Sequence, residues 1–526
     1  MRRIVVLCMC LIALVLVGCS DERVWQENAV VYALEAEPSD LDPAMTTSLP
    51  ESIAELQIFE GLTRLDKDNV PQPALAERWN VSDDGKTWTF VLRPGLVWSD
   101  GTAITADDFV YSWLRVLSPE KASENAYMLF CIDKAEEYFS EKATAEDVGI
   151  KALDHRTLQV RLKNPVPYFL NLTAFHCFYV VPRQAVEKNP ETWAATADFP
   201  CSGPFRITSW IHSGEIDFVK NEHYWDATAV RTESLQFPIS DSQATRLTMV
   251  ESGQADMMTE PPPADEARLE EKGLYRVAPY SGLYYYVFNV TVPPFDDVRV
   301  RRAFAEAIER KNLVEHVVRS HKQPAYSLVS PEISDSEGHE FRKAGGDIQY
   351  EDAAEAKRLL QEAYGNKSLP EITVLYNTNE LHKAIAESLQ DMWKRNLGVT
   401  VYLRNQESKV FMEARANGDY QIARASWIAD YDDPMTFLEV FSAQDNDAQY
   451  HNPKYNALIE EAQQTNDKTR RNELMHEAEK LLFDDCVIIP IYYTTQPYVV
   501  RPGIQEYHWS PLGLIDFKYA YKEQVK

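Results

Sequence analysis

Apolar residues follow one another without a break from Ile4 to Val17, behind Met1-Arg2-Arg3 and ahead of Gly18-Cys19-Ser20-Asp21. A basic start, a short apolar core and a small residue after it read as a secretory signal peptide over residues 1–18. The run is too short and wrongly flanked for a spanning helix, and no other segment approaches the roughly 20 apolar residues that a span needs. Beyond it the pattern turns to short alternating and helical stretches. VVYAL at residues 30–34 is an apolar strand, closed by the prolines and aspartates of residues 37–43. LAERW at residues 75–79 has the composition of a helix end, and WTFVL at residues 88–92 alternates as a half-exposed strand does, ahead of the turn Arg93-Pro94-Gly95. After a second turn at residues 98–101, Thr105 is placed to cap a helix with Phe109, Val110, Trp113 and Leu114 on one face. Asp107 and Asp108 then fall at the positive end of that helix, which makes capping their expected work rather than catalysis.

Further along, residues 298–314, 353–363 and 385–393 carry apolar positions at helical spacing, while residues 372–376 and 399–403 read as strands. Helix, strand, helix, strand is the order of a sheet covered by helices, so the expected class is mixed α/β with more than one lobe. Proline and glycine are spread along the whole chain with no low-complexity block and no short repeat, so the domains are expected to be interleaved rather than strung on linkers.

The length of 526 residues allows about three ordinary domains, and 45% hydrophobic residues supply their cores. The formal charge is −28, and because residues 1–18 hold Arg2 and Arg3 and no acid, the chain without them carries −30. Such a surface repels phosphate backbones and makes nucleic acid an unsuitable partner. Of the cysteines beyond residue 19, Cys131, Cys177, Cys201 and Cys486 form no C-x-x-C pair and no zinc-spaced cluster with histidine, and no disulfide can be assigned. Catalytic motifs fail on inspection. Gly85-Lys86-Thr87 ends like a phosphate loop, but Asn80 stands where the first glycine belongs; His339-Glu340 starts like a zinc-protease helix, but Lys343 takes the place of the second histidine. No G-x-S-x-G elbow occurs, so neither enzymatic activity nor any metal or cofactor is expected.

A collinear set of segments is left. Glu37-Pro38 with Leu41-Asp42-Pro43, FEGL at 59–62, PALAERW at 73–79, WSDG at 98–101 and TADDFVYSW at 105–113 come first. SGPF at 202–205, SGQAD at 252–256, YYYVFN at 284–289 and PFDDVRVR at 294–301 follow in the same order. Together they resemble the oligopeptide-binding proteins of bacterial ABC importers, over nearly all of the chain beyond the signal peptide. The resemblance implies a two-lobed fold of the periplasmic-binding-protein type with an extra side domain and a ligand cleft between the lobes. Residues 19–60, 183–281 and 494–526 would build lobe I, residues 61–182 the side domain, and residues 282–493 lobe II. Leu16-Val17-Gly18-Cys19 resembles a lipobox, which would make Cys19 the lipidated first residue. The expected molecule is a monomer on the outer face of the cytoplasmic membrane, tied to it by lipid alone, handing short peptides to permease subunits with their ATPases.

RASWIADYDDP at residues 424–434 closely resembles the binding-strand motif of that family. By the resemblance, Asp430 meets the free α-ammonium of a peptide through a charge-assisted bond; the plain alternative is a turn aspartate, the reading preferred for Asp432 and Asp433. If the segment is extended, Arg424 shares a face with Asp430 and Trp427 points the other way. His382 and Arg415 match positions near the ligand's carboxyl end, where the guanidinium fork of an arginine can hold both oxygens; a solvated histidine at a helix start and a surface arginine are the alternatives. The strand around Tyr284, Tyr286 and Asn289 would offer its edge to an extended ligand, with only alternate tyrosines facing it. One departure is visible: where the best-studied peptide binders carry a tryptophan beside the ligand, this chain has Ser408. Cell-wall peptides, nickel complexes and haem are carried by other members of the class, and an exported hydrolase is the remaining rival.

Overall fold

The computed structural model describes residues 29–523 apart from Asn366 and Asp445, so the signal-peptide and Cys19 readings fall outside the described residues. One eleven-stranded mixed sheet organises the molecule. Its strands run in the order Val401–Gln406, Ile372–Asn377, Ile422–Ile428, Tyr275–Phe288, Ile488–Val500, Met257–Thr259, Val30–Ala33, Ser234–Pro238, Glu215–Lys220 and Phe205–Ile211, with Gln323–Pro324 beside Ile488–Val500. Two long antiparallel strands, Tyr275–Phe288 and Ile488–Val500, tie its halves together. Their register slips between Pro279 and Leu283. Gly282 sits in that gap, where a Cβ would collide with the side chains of Ile428 and Thr494; the close approach of three strands requires the missing side chain.

The tyrosine run shows how the halves are filled. Tyr284 and Tyr286 point into a core with Phe304, Ile385 and Trp393, while Leu283, Tyr285 and Val287 point into another with Phe411, Tyr450 and Leu474. Successive side chains leave opposite faces of a strand, and a central strand covered on both faces is apolar throughout. The expected βαβ unit is present: Ile372–Asn377 and Val401–Gln406 pair in parallel through the helix Glu380–Leu397. On the other side of the slip, Val30, Tyr32, Phe205, Phe218, Phe237 and Phe517 form a separate core, to which the first and last parts of the chain both contribute.

A four-stranded antiparallel sheet stands apart, in the order Ala76–Val81, Thr87–Leu92, Thr157–Arg161, Ile150–Asp154. The helix Ala106–Val116 covers it through Phe109 and Trp113, and is closed by a reciprocal cap in which the Asp108 carboxylate accepts from the Thr105 backbone N–H (2.7 Å) and hydroxyl (2.9 Å). Residues 75–79 are not the helix end that their composition predicts. They enter the strand Ala76–Val81, with Trp79 opposite Phe90, because cross-strand aromatic packing outweighs the local preference of Ala-Glu-Arg. The helical stretch expected over 298–314 is likewise broken, into Val298–Glu306 and Arg310–Leu313. Among the described residues no helix is long and apolar enough to cross a membrane.

Candidate functional site

The strand Ile422–Ile428 lies between Tyr275–Phe288 and Ile372–Asn377. Ala429 still donates to the carbonyl of Ser281 (2.8 Å), and then the chain turns, with the Asp430 N–H on the Thr436 hydroxyl (3.1 Å). The extended geometry therefore stops before Asp430, and the face it shares with Arg424 is not set by strand parity. The turn reading holds in part for the next acids. Asp432 accepts from the Ser334 backbone (2.8 Å), and Asp433 caps Met435 (2.9 Å) while its carboxylate receives both ends of the buried Arg471 guanidinium at 2.7 and 2.9 Å.

Asp430 is different. Its carboxyl is largely buried with the Tyr127 hydroxyl nearby, and no cation among the described residues offsets its charge. Burial pushes it up to about 6. It lines a cavity of about 20 Å³ with Phe175, Ile333, Tyr431, Leu512 and Leu514, so parts of the chain distant in sequence converge there. That volume holds about one water, which is also the size of an ammonium group.

Arg424, His382 and Tyr284 form a second cluster. The Arg424 guanidinium lies 5.0 Å from the Tyr284 ring centroid and donates to the Ser426 hydroxyl (3.0 Å), and its Nε is buried without a partner. No carboxylate among the described residues pairs with it. The Tyr284 hydroxyl is 3.2 Å from His382 Nδ1, and burial together with the Arg424 charge drives that imidazole down to about 4, so it is neutral at pH 7. His382 opens the helix Glu380–Leu397, whose cap Asn379 accepts the N–H groups of Leu381 and His382. The side-chain oxygens of Asn377 and Gln406, at the carboxyl ends of the two parallel strands, are buried without partners. A cation, a neutral imidazole and a helix start thus gather where α/β sheets receive ligands.

The other expected contacts are placed differently. Arg415 is already paired with Asp447 (Nε to Oδ2, 2.8 Å), whereas Arg424 has no ion pair among the described residues. Asn289 gives its amide N–H to the Gly418 carbonyl (2.9 Å) and takes those of Thr291, which leaves it a structural part of the strand end. Tyr286 is fully buried beneath Tyr284. Trp427, opposite Leu283, is half-buried with its Nε1 unpartnered. Ser408 opens the helix Ser408–Ala416 and is exposed, within 3.5 Å of Asn377. The four thiols Cys131, Cys177, Cys201 and Cys486 are free. Two residues without a sequence signal complete the picture: Tyr127, which arrives on the short helical turn Ala126–Leu129 some 300 positions before Asp430, and Glu439, which stands behind Tyr431 (2.6 Å from its hydroxyl).

The model of the bacterial extracellular solute-binding proteins, family 5 Middle, matches residues 70–449. The chain belongs to that family. It is 36% identical over 511 residues to the dipeptide-binding protein DppE of Bacillus subtilis, covering 96% of this chain and 94% of the relative. With the periplasmic oligopeptide-binding protein OppA of Salmonella typhimurium it shares 37% over 499 residues, 92% of this chain and 91% of the other. Among solved structures, Haemophilus influenzae OppA in complex with RPPGFSPFR superposes with a TM-score of 0.76 at 30% identity, covering 94% of this chain and 99% of that one. The mixed α/β architecture of this solute-binding protein is therefore the two-lobed fold of its family, and its role is that of a receptor component of an ABC importer.

Proposed function

We propose that this protein captures short peptides by their two ends and presents them to the importer's permease, as a binding protein without catalytic activity. The observation that carries the reading is Asp430: a buried carboxylate with only a tyrosine hydroxyl for company, facing a space the size of an ammonium group. A fold tolerates such a group when a ligand supplies the missing charge. Arg424 is the complementary end, a half-buried guanidinium without a carboxylate, beside a neutral histidine that can donate or accept. The two stand six positions apart, at most about 20 Å of extended chain. Less about 10 Å for the reach of the two side chains, a ligand of about three residues spans the rest.

In this reading residues 19–60, 183–281 and 494–526 form lobe I, 61–182 the side domain and 282–493 lobe II. The register slip at residues 279–283 supports a hinge there, and closure brings Tyr127 and the loop at 510–514 onto Asp430. The peptide touches all three parts only when they are together, so binding shifts the open–closed population that the permease reads. The protein works as a monomer held to the membrane by lipid on Cys19. Isothermal titration with trialanine, N-acetyl-trialanine and trialanine amide tests the reading: trialanine binds, and blocking either end weakens it. Equal binding of all three overturns it.

A further inference from the structure

Next to Asp430 lies a larger cavity, of about 180 Å³, enclosed between the loop at Tyr127–Cys131, the stretch Lys163–Tyr168, and Tyr431, Glu439, Gln463 and Arg471. It has room for several waters or for one long side chain. Its wall toward Asp430 is made of Tyr127, whose hydroxyl lies near the Asp430 carboxyl, and Tyr431, which lines both spaces. A ligand whose α-ammonium sits on Asp430 therefore has its first Cα at this wall.

The charges around the cavity do not balance. Lys163 is bonded to Glu136 (3.1 Å), and Arg471 is held by both oxygens of Asp433. Glu439 alone has only neutral partners, the Tyr431 hydroxyl at 2.6 Å and a long contact of 3.5 Å from the Gln463 amide. Burial, with the charges of Asp430 and Asp433 nearby, lifts it to about 7, although the Tyr431 hydroxyl and the more distant charge of Arg471, itself held by Asp433, pull the other way. Aromatic rings form part of the remaining wall, Phe130 and Tyr168, the latter stacked on Tyr431 at 4.4 Å between centroids, beside the aliphatic Val166 and Leu172. Aromatic faces around one uncompensated carboxylate favour a cation and disfavour an anion.

We propose that this cavity receives a cationic side chain from the ligand's first residue, lysine or arginine, with Glu439 as its counter-ion, so that the protein selects peptides that begin with a basic residue. The inference rests on the peptide reading and adds to it a residue that sets specificity. The methylene stem of lysine would lie along Tyr127 and Met128, and its ammonium would replace water at Glu439.

The test compares lysyl-alanyl-alanine, norleucyl-alanyl-alanine, glutamyl-alanyl-alanine and trialanine by isothermal titration at pH 7.5. Norleucine keeps the length of lysine and removes the charge. The wild-type protein is expected to bind the lysyl peptide at least about tenfold more tightly than the norleucyl peptide, and the glutamyl peptide most weakly. In Glu439→Gln the lysyl-to-norleucyl ratio falls toward one, while Glu439→Asp keeps a preference for lysine. A wild-type ratio near one overturns the proposal without any variant, and so does a ratio that survives Glu439→Gln. If trialanine binds and the ratio is one, the peptide reading stands and this inference fails; if none of the four peptides binds, both fall.

Discussion

Replacing Asp430 by asparagine is expected to move stability and affinity in opposite directions. The carboxyl sits at about 6 because burial disfavours its charge. A raised acid binds more protons folded than unfolded between about pH 4 and 6, so stability falls as pH climbs through that window, and the whole cost is present above it. At pH 7 the shift amounts to about 3 kcal/mol of destabilisation. Asparagine keeps an oxygen for the Tyr127 hydroxyl and carries no charge, so the ligand-free variant should melt higher than wild type at pH 7 and alike below about pH 4. The same change leaves a buried ligand ammonium without its counter-charge, at about 3–5 kcal/mol, or roughly a hundred- to a few thousand-fold in affinity. Calorimetric melting of the ligand-free proteins and titration with trialanine read the two effects separately. Wild-type affinity should be highest near pH 7, weaken about tenfold per unit below 6, where the empty site is already protonated, and weaken again above about pH 8, where the ligand's α-amino group loses its proton; His382, held at about 4, stays neutral through that range. Trialanine binding within threefold of wild type in the variant refutes the contact. Lost binding together with lower stability would make Asp430 a structural residue instead.

Arg424→Gln should weaken trialanine by about ten- to a hundredfold, the worth of hydrogen bonds to a charged group, and leave trialanine amide nearly unaffected; titration showing equal losses for both counts against a carboxylate contact. Arg471→Met strands the Asp433 carboxylate, which is 2% exposed, and is expected to cost about 3–5 kcal/mol, seen as a lower urea midpoint; an unchanged midpoint means the pair contributes nothing net. Cys19→Ser should move the protein from the membrane fraction to the soluble fraction on fractionation of cells, whereas unchanged partitioning removes the lipid anchor.

The covalent order of the chain carries some of this and hides the rest, for identifiable reasons. The alternation of YYYVFN, the cap at Thr105 and the helix–strand–helix–strand run were legible because each depends on neighbours within a few residues. Residues 75–79 were not, because a partner strand decides their conformation. The site divides in the same way. Asp430 and Arg424 stand in one short motif and could be picked out together, although their roles depend on something no motif contains: whether another part of the chain has already neutralised them. Arg415 matches a carboxylate position only by resemblance, and the motif does not show that Asp447, 32 positions away, pairs with it. Glu439 drew no notice in an acidic chain, and matters only because Lys163 and Arg471 on the same cavity are each paired elsewhere. Ligand-binding charge in this fold is the charge that remains when internal pairing is complete. That remainder is a property of the three-dimensional arrangement, and in the proposed reading it is Asp430 and Glu439, acids without a paired cation that also line cavities, rather than the many surface ones, that meet the ligand.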